Sequence, residues 1–141
     1  MKMKLVKYTS LFLILFVFIT KTYAQPTGKK TITLDEAGQA SIKFEVMFHN
    51  FDTITAGTQA IYEFVYTNTG KGPLIITEVK PPCDCTHPEW PKEPLQPGKT
   101  AKIKVRFDSK DKSGSFSKTI EVKHNGDSMR EFITIKGYVK T

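Results

Sequence analysis

Alternation of apolar and polar side chains dominates the chain from residue 42 onward. The cleanest stretch is Thr100 to Phe107, where Ala101, Ile103, Val105 and Phe107 alternate with Thr100, Lys102, Lys104 and Arg106. A period of two places successive side chains on opposite faces of an extended chain. The pattern therefore predicts a strand with one wet face, which favours an antiparallel sheet. Phe116, Ile120 and Val122 share a face of the next strand, with Lys118 an outlier that belongs near its edge. Asn125-Gly126-Asp127 reads as a hairpin turn, and Ile133, Ile135 and Val139 line a closing strand in which Gly137 leaves a gap. Upstream, Tyr62, Phe64 and Tyr66 align along a strand that ends at Asn68-Thr69-Gly70. Leu74 to Val79 follows Gly72-Pro73, Ile42, Phe44 and Val46 suggest a first core strand, and Thr31 to Leu34 a frayed one.

Turn residues separate these runs at Asn68 to Pro73, Pro97-Gly98 and Ser113-Gly114. No stretch after residue 24 carries a helical period. About seven short antiparallel strands in roughly 100 residues is the signature of an immunoglobulin-like β-sandwich, an all-β fold. The Cys–Trp–Cys core of antibody domains is absent, because the two cysteines of this chain stand one residue apart in a loop.

The first 24 residues follow another rule. Lys2, Lys4 and Lys7 precede an unbroken apolar run from Leu11 to Ile19, and Thr22-Tyr23-Ala24 closes the segment. The run falls short of the ~20 residues a spanning helix needs. A basic start, a short apolar stretch and a small-residue end predict a signal peptide over residues 1–24, with cleavage before Gln25. No cysteine follows that point, which excludes lipid attachment there. The expected organisation is a signal peptide (1–24), an N-terminal segment with the frayed strand (25–40) and one domain (41–141). The expected location is exported, periplasmic or secreted, with no membrane span after cleavage.

Composition changes little once the leader is set aside. The whole chain carries +7, from 21 basic and 14 acidic residues. The leader holds Lys2, Lys4, Lys7 and Lys21 and no acid, so 17 basic residues face 14 acidic ones in the remainder, a net +3. That value favours solubility and gives no reason to invoke nucleic acid.

Chemistry has one candidate address. Cys83-Asp84-Cys85-Thr86-His87 lies in the stretch Pro81 to Pro97, which holds six of the eight prolines. In an oxidising compartment free thiol pairs seldom persist. Cys83 and Cys85 are therefore a candidate disulfide or thiol pair, either a fixture of the loop or, because such a small ring demands local strain, a reducible pair. Asp84 opposes redox chemistry by disfavouring a neighbouring thiolate. Cys83, Cys85 and His87 also project to one face of an extended segment, a donor set suited to Cu(I) or Zn(II). No fourth ligand is identifiable, since His49 and His124 could lie anywhere, and a solvated loop histidine is the plainer account of His87. Trp90 in the same loop is either an anchor for a protein partner or a cover for the loop. Lys102, Lys104 and Arg106 read as a solvated outer face. Phosphate loops, Gly-x-Ser-x-Gly and His-Glu-x-x-His are absent, so no catalytic residue and no cofactor is expected. Asp52-Thr53-Ile54 and Asp127-Ser128-Met129 resemble short O-glycosylation sites of some exported bacterial proteins.

The order of these features resembles the DUF1573 family of bacterial exported proteins. The resemblance rests on Tyr62-x-Phe64-x-Tyr66-Thr67-Asn68-Thr69-Gly70, Pro73-Leu74-Ile75-Ile76, Val79-Lys80-x-x-Cys83-x-Cys85-Thr86, Trp90 and Pro97-Gly98. Gly114-x-Phe116 and Ile133-x-Ile135-x-Gly137-x-Val139 continue it, so that it spans roughly residues 44 to 139. It implies an immunoglobulin-like module similar to the ASH and major-sperm-protein type, associated with protein–protein contact. The family usually has glycine between its cysteines, where this chain has Asp84. The expectation is an exported non-catalytic module that binds a protein partner or gives structural support in the cell envelope. The alternative is a thiol-dependent redox or Cu(I)/Zn(II)-binding protein centred on Cys83, Cys85 and His87.

Overall fold

The computed structural model describes residues 38–141. The leader expected over residues 1–24 and the strand expected at Thr31 to Leu34 lie outside the described residues.

Eight strands follow in order: β1 (Ile42–Phe44), β2 (Phe48–Thr55), β3 (Gln59–Asn68), β4 (Ile76–Lys80), β5 (Thr86–Glu89), β6 (Thr100–Asp108), β7 (Gly114–His124) and β8 (Arg130–Lys140). They form two four-stranded sheets, ordered β1-β3-β6-β5 and β2-β8-β7-β4. The all-β immunoglobulin-like sandwich expected from the alternation is the fold observed.

The alternating apolar positions meet between the sheets. Phe64, Ile103, Val105 and Phe107 come from the first sheet, and Ile120, Val122, Ile133, Ile135 and Val139 from the second, all at most 2% exposed. Each such side chain gains about 1.5–3 kcal/mol on leaving water, so the facing apolar layers dominate the stability of the domain. The gap at Gly137 is filled by Phe116: a Cβ there would stand 2.9 Å from its ring. Lys118 sits on the stretch of β7 that pairs only with β8, because β4 joins β7 only from Glu121 onward.

Several details depart from the sequence reading. Phe48–Thr55 is a strand the alternation did not announce, since Asp52 has a positive φ of 55° and the register shifts between Asn50 and Thr53. A β-bulge adds one residue and inverts the period after it. β2 also pairs with β8 in parallel, whereas every other ladder among the described residues is antiparallel. Val46 is 44% exposed rather than in the core. It lies between β1, in the first sheet, and β2, in the second, where the chain changes sheets. Thr86–Glu89, expected inside a loop, is an edge strand on β6. Pro88 is tolerated there because an edge strand leaves one side of its backbone unpaired.

Candidate functional site

The cysteines occupy the turn between β4 and β5, where the chain crosses from the second sheet to the first. Cys83 and Cys85 are joined by a disulfide, with Cα atoms 5.2 Å apart. The turn does not depend on that bond for its shape. Thr86 N–H donates to the Cys83 carbonyl at 3.1 Å, and Asp108 N–H donates to the Cys85 carbonyl at 2.9 Å. Cys85 packs against the core, whereas Asp84 is exposed. Among the described residues, those with positive φ outside glycine are Asp52, Asp111 and Met129, so Asp84 occupies an ordinary backbone conformation without glycine's freedom. In the chain-entropy picture, closing a loop of about three residues adds roughly 1.6 kcal/mol, against about 3 kcal/mol for a 15-residue loop.

Thr86 is the residue of this segment that sequence reasoning passed over. It faces inward opposite Phe107, is 1% exposed, and holds its hydroxyl 3.5 Å from Cys83 Sγ and 3.8 Å from Cys85 Sγ. Alternation turns Thr86 to the face opposite His87, but which face lies inward is set by the pairing of β5 with β6. His87 is exposed and lies opposite Arg106, on the outward side. The expected metal triad is therefore not assembled, with both sulfurs in a disulfide and the imidazole on the opposite face. Among the described residues, no three His, Cys, Asp or Glu side chains converge as a metal site would require.

Trp90 follows β5 and is half-buried against the core. Its indole N–H donates to the Ile76 carbonyl at 3.4 Å, linking the end of β5 to β4 across the two sheets. Lys92 Nζ stands 3.1 Å from the ring centroid, a cation–π contact over the indole face. The geometry is that of a cover held down on both sides.

The other histidines stand apart from the cysteines. His49 stacks on Tyr62, with ring centroids 3.6 Å apart at 11°. Burial lowers its pKa, with Asp52 pulling the other way. His124 is buried at the β7–β8 hairpin, and its Nδ1 accepts the Gly126 N–H at 3.0 Å. Burial also lowers its pKa, against the opposing pull of Glu131 and Asp127.

This hairpin holds a serine–histidine–carboxylate contact that sequence motifs did not reveal. Ser128 Oγ lies 3.4 Å from His124 Nε2 and donates to Glu131 Oε1 at 2.7 Å. A neutral imidazole whose Nδ1 accepts a hydrogen bond must carry its own hydrogen on Nε2. That nitrogen cannot then remove the serine proton, so the imidazole is not the base that a serine–histidine pair requires. The Ser128 of the second glycosylation-like motif is thus engaged with Glu131. Thr53 of the first is exposed at the β2 bulge, at the rim of a shallow groove of about 670 Å³ over Gly137.

A further surface feature lies on the outer face of the second sheet. Phe48, at the edge, stands opposite Thr134 in β8, whose own outward side chains include Phe132 and Tyr138. Val46, Phe48, Phe132 and Tyr138 are 44%, 48%, 50% and 50% exposed. Lys136 Nζ lies 4.6 Å from the Phe48 ring centroid.

The family model described as "Protein of unknown function (DUF1573)" matches residues 42–139. The chain belongs to the DUF1573 family. No curated protein matches this DUF1573 chain. Solved structures similar to it include a protein of unknown function from Porphyromonas gingivalis (TM-score 0.64, 15% identity, 72% of this chain and 48% of that one). Another is the VesB protease of Vibrio cholerae (TM-score 0.55, 16% identity, 73% of this chain and 32% of that one). A third is the ASH/PapD-like domain 7 of human CEP192 (TM-score 0.53, 12% identity, 72% of this chain and 87% of that one). The chain spans about half the length of the first, at 48%, and about a third of the second, at 32%. At these identities the likeness concerns the fold, which the DUF1573 domain shares with PapD-like and immunoglobulin-like modules.

Proposed function

We propose that this chain is an exported, non-catalytic module that binds a protein partner in the cell envelope through the outer face of β2 and β8. The observation that carries the reading is the group Val46, Phe48, Phe132 and Tyr138, about half exposed on or beside an edge strand. Isolated surface aromatics are ordinary, but several beside a free strand edge suit an extended partner segment. Backbone pairing along Phe48 to Asn50 would supply affinity, and apolar side chains laid over Phe132 and Phe48 would supply register. The bulge at Asp52 ends that pairing, as bulges at sheet edges do. The occupant is therefore a short extended segment with alternate apolar residues. Export rests on the charge and hydropathy pattern of the first 24 residues. Absence of turnover rests on the scattered histidines and on the tautomer of His124.

A photo-activatable residue at position 48 or 132 tests the reading in cells that make the full chain. It should give one discrete protein adduct, whereas the same residue at position 102, on the outer face of the other sheet, should give none. Phe132→Asp should remove the adduct formed from position 48. Equal labelling from all three positions, or a position-48 adduct indifferent to Phe132→Asp, would contradict it.

A further inference from the structure

We propose that Cys83 and Cys85 form a reversible redox pair that exchanges two electrons with a dithiol, and that the Thr86 hydroxyl steadies the sulfur charge during exchange. This stands apart from the docking face and does not rest on it.

Three observations carry the inference. Among the described residues, the hydrogen-bond partners of the buried Thr86 hydroxyl are the two sulfurs, at 3.5 and 3.8 Å. Disulfide sulfur accepts hydrogen bonds weakly. The hydroxyl is thus held where it gains little until a sulfur carries negative charge, when a charge-assisted bond about twice as strong becomes available. Second, the turn backbone is pinned by Thr86 N–H to Cys83 and Asp108 N–H to Cys85, and β5 is paired with β6. The bridge can open without releasing the chain. Third, the two sulfurs are inequivalent: Cys85 packs against the core and Cys83 does not.

The exchange is a pair of displacements. A partner thiolate attacks Cys83 Sγ, forming a mixed disulfide there and breaking the Cys83–Cys85 bond. The electron pair leaves on Cys85 Sγ, which takes a proton from water. The partner's second thiolate then attacks the partner sulfur of the mixed disulfide, and Cys83 departs as a thiolate and is protonated. The partner ends as a disulfide, and Cys83 and Cys85 end as two thiols. A monothiol is a poor reductant here, because Cys85 lies two residues away and recaptures Cys83 before a second monothiol arrives. The exposed Asp84 carboxylate opposes charge on either sulfur, and the Thr86 hydroxyl offsets it.

The folded chain, treated with dithiothreitol and quenched by alkylation, tests this by mass. Two alkyl groups should appear while Trp90 fluorescence and near-UV circular dichroism stay native, and glutathione at equal thiol concentration should reduce far less. Thr86→Val should slow reduction about tenfold, the weight of one hydrogen bond to a charged group, and Thr86→Ser should restore the rate. With single cysteines, Cys85→Ser should take up glutathione from its disulfide form faster than Cys83→Ser. Asp84→Asn, a change at an exposed position, keeps the proposal testable if Thr86→Val fails to fold, and it should accelerate reduction. Reduction only on unfolding, a wild-type rate in folded Thr86→Val, a faster-reacting lone Cys85, or an unaccelerated Asp84→Asn would each overturn the proposal.

Discussion

Two turns of this domain are held in opposite ways. The turn after β3 is fastened by the side chain of Asn68, which is wholly buried. Its amide donates to the Gly72 and Leu95 carbonyls, both at 2.8 Å, and accepts the Gly70 N–H at 3.0 Å. Gly70 is indispensable there, since a Cβ would stand 2.4 Å from the Gln39 carbonyl oxygen. The turn before β5 carries a covalent bond, yet its backbone is already fixed by hydrogen bonds to Cys83 and Cys85. The weak link by bond strength is thus the structural one, and the strong link spans too little chain to matter much. A buried group that satisfies three partners fixes a fold more firmly than a cross-link between near neighbours.

The contrast yields an ordered set of expectations. Asn68→Ala leaves the Gly72 carbonyl and the Gly70 N–H without partners, while the Leu95 carbonyl keeps the Leu74 N–H. It should cost about 2–6 kcal/mol in denaturant unfolding, at about 1–3 kcal/mol for each group left unmet. Replacing both Cys83 and Cys85 by serine should cost no more than roughly 2 kcal/mol, because the closed loop is so short. A loss larger than that of Asn68→Ala would invert the comparison.

The third turn, at the β7–β8 hairpin, sharpens it through pH. Burial lowers the pKa of His124 in the fold from 6.5, against the opposing pull of Glu131 and Asp127. The unfolded chain takes up a proton as pH falls through that value and the folded chain resists, so stability should decline below about 6.5. His124→Asn should flatten the decline in part, leaving the share due to His49, whose pKa is lowered in the same direction by burial. An unaltered slope in the variant would remove His124 from the account. The smallest effect belongs to the exposed Lys102–Glu63 pair, at 2.6 Å on the outer face. Lys102→Ala should leave the midpoint within error, as exposed ion pairs usually do.

Much of this architecture was legible in the chain because it is written in alternation. β6 and β7 each bury one face, so Ile103, Val105, Phe107, Ile120 and Val122 announce their strands directly. β2 was hidden because the bulge at Asp52 breaks the period of two, and its partner runs parallel. β5 was hidden by Pro88 and by the prolines on either side of it, which read as loop. The Cys83–Cys85 pair was visible from spacing, but not the hydroxyl placed against it, because Thr86 acquires its inward direction from pairing with β6. The outer-face aromatics were invisible for a similar reason. Phe48 and Phe132 come into one patch only once β2 is laid against β8, with Tyr138 further along the same face, opposite Thr53.

Hydrogen exchange of the oxidised and reduced chains tests most directly the claim that the sandwich, and not its disulfide, holds the domain. Protection along β3, β6, β7 and β8 should be unchanged on reduction, with faster exchange confined to residues 81–92. Loss of protection across β3 and β6 on reduction would contradict it.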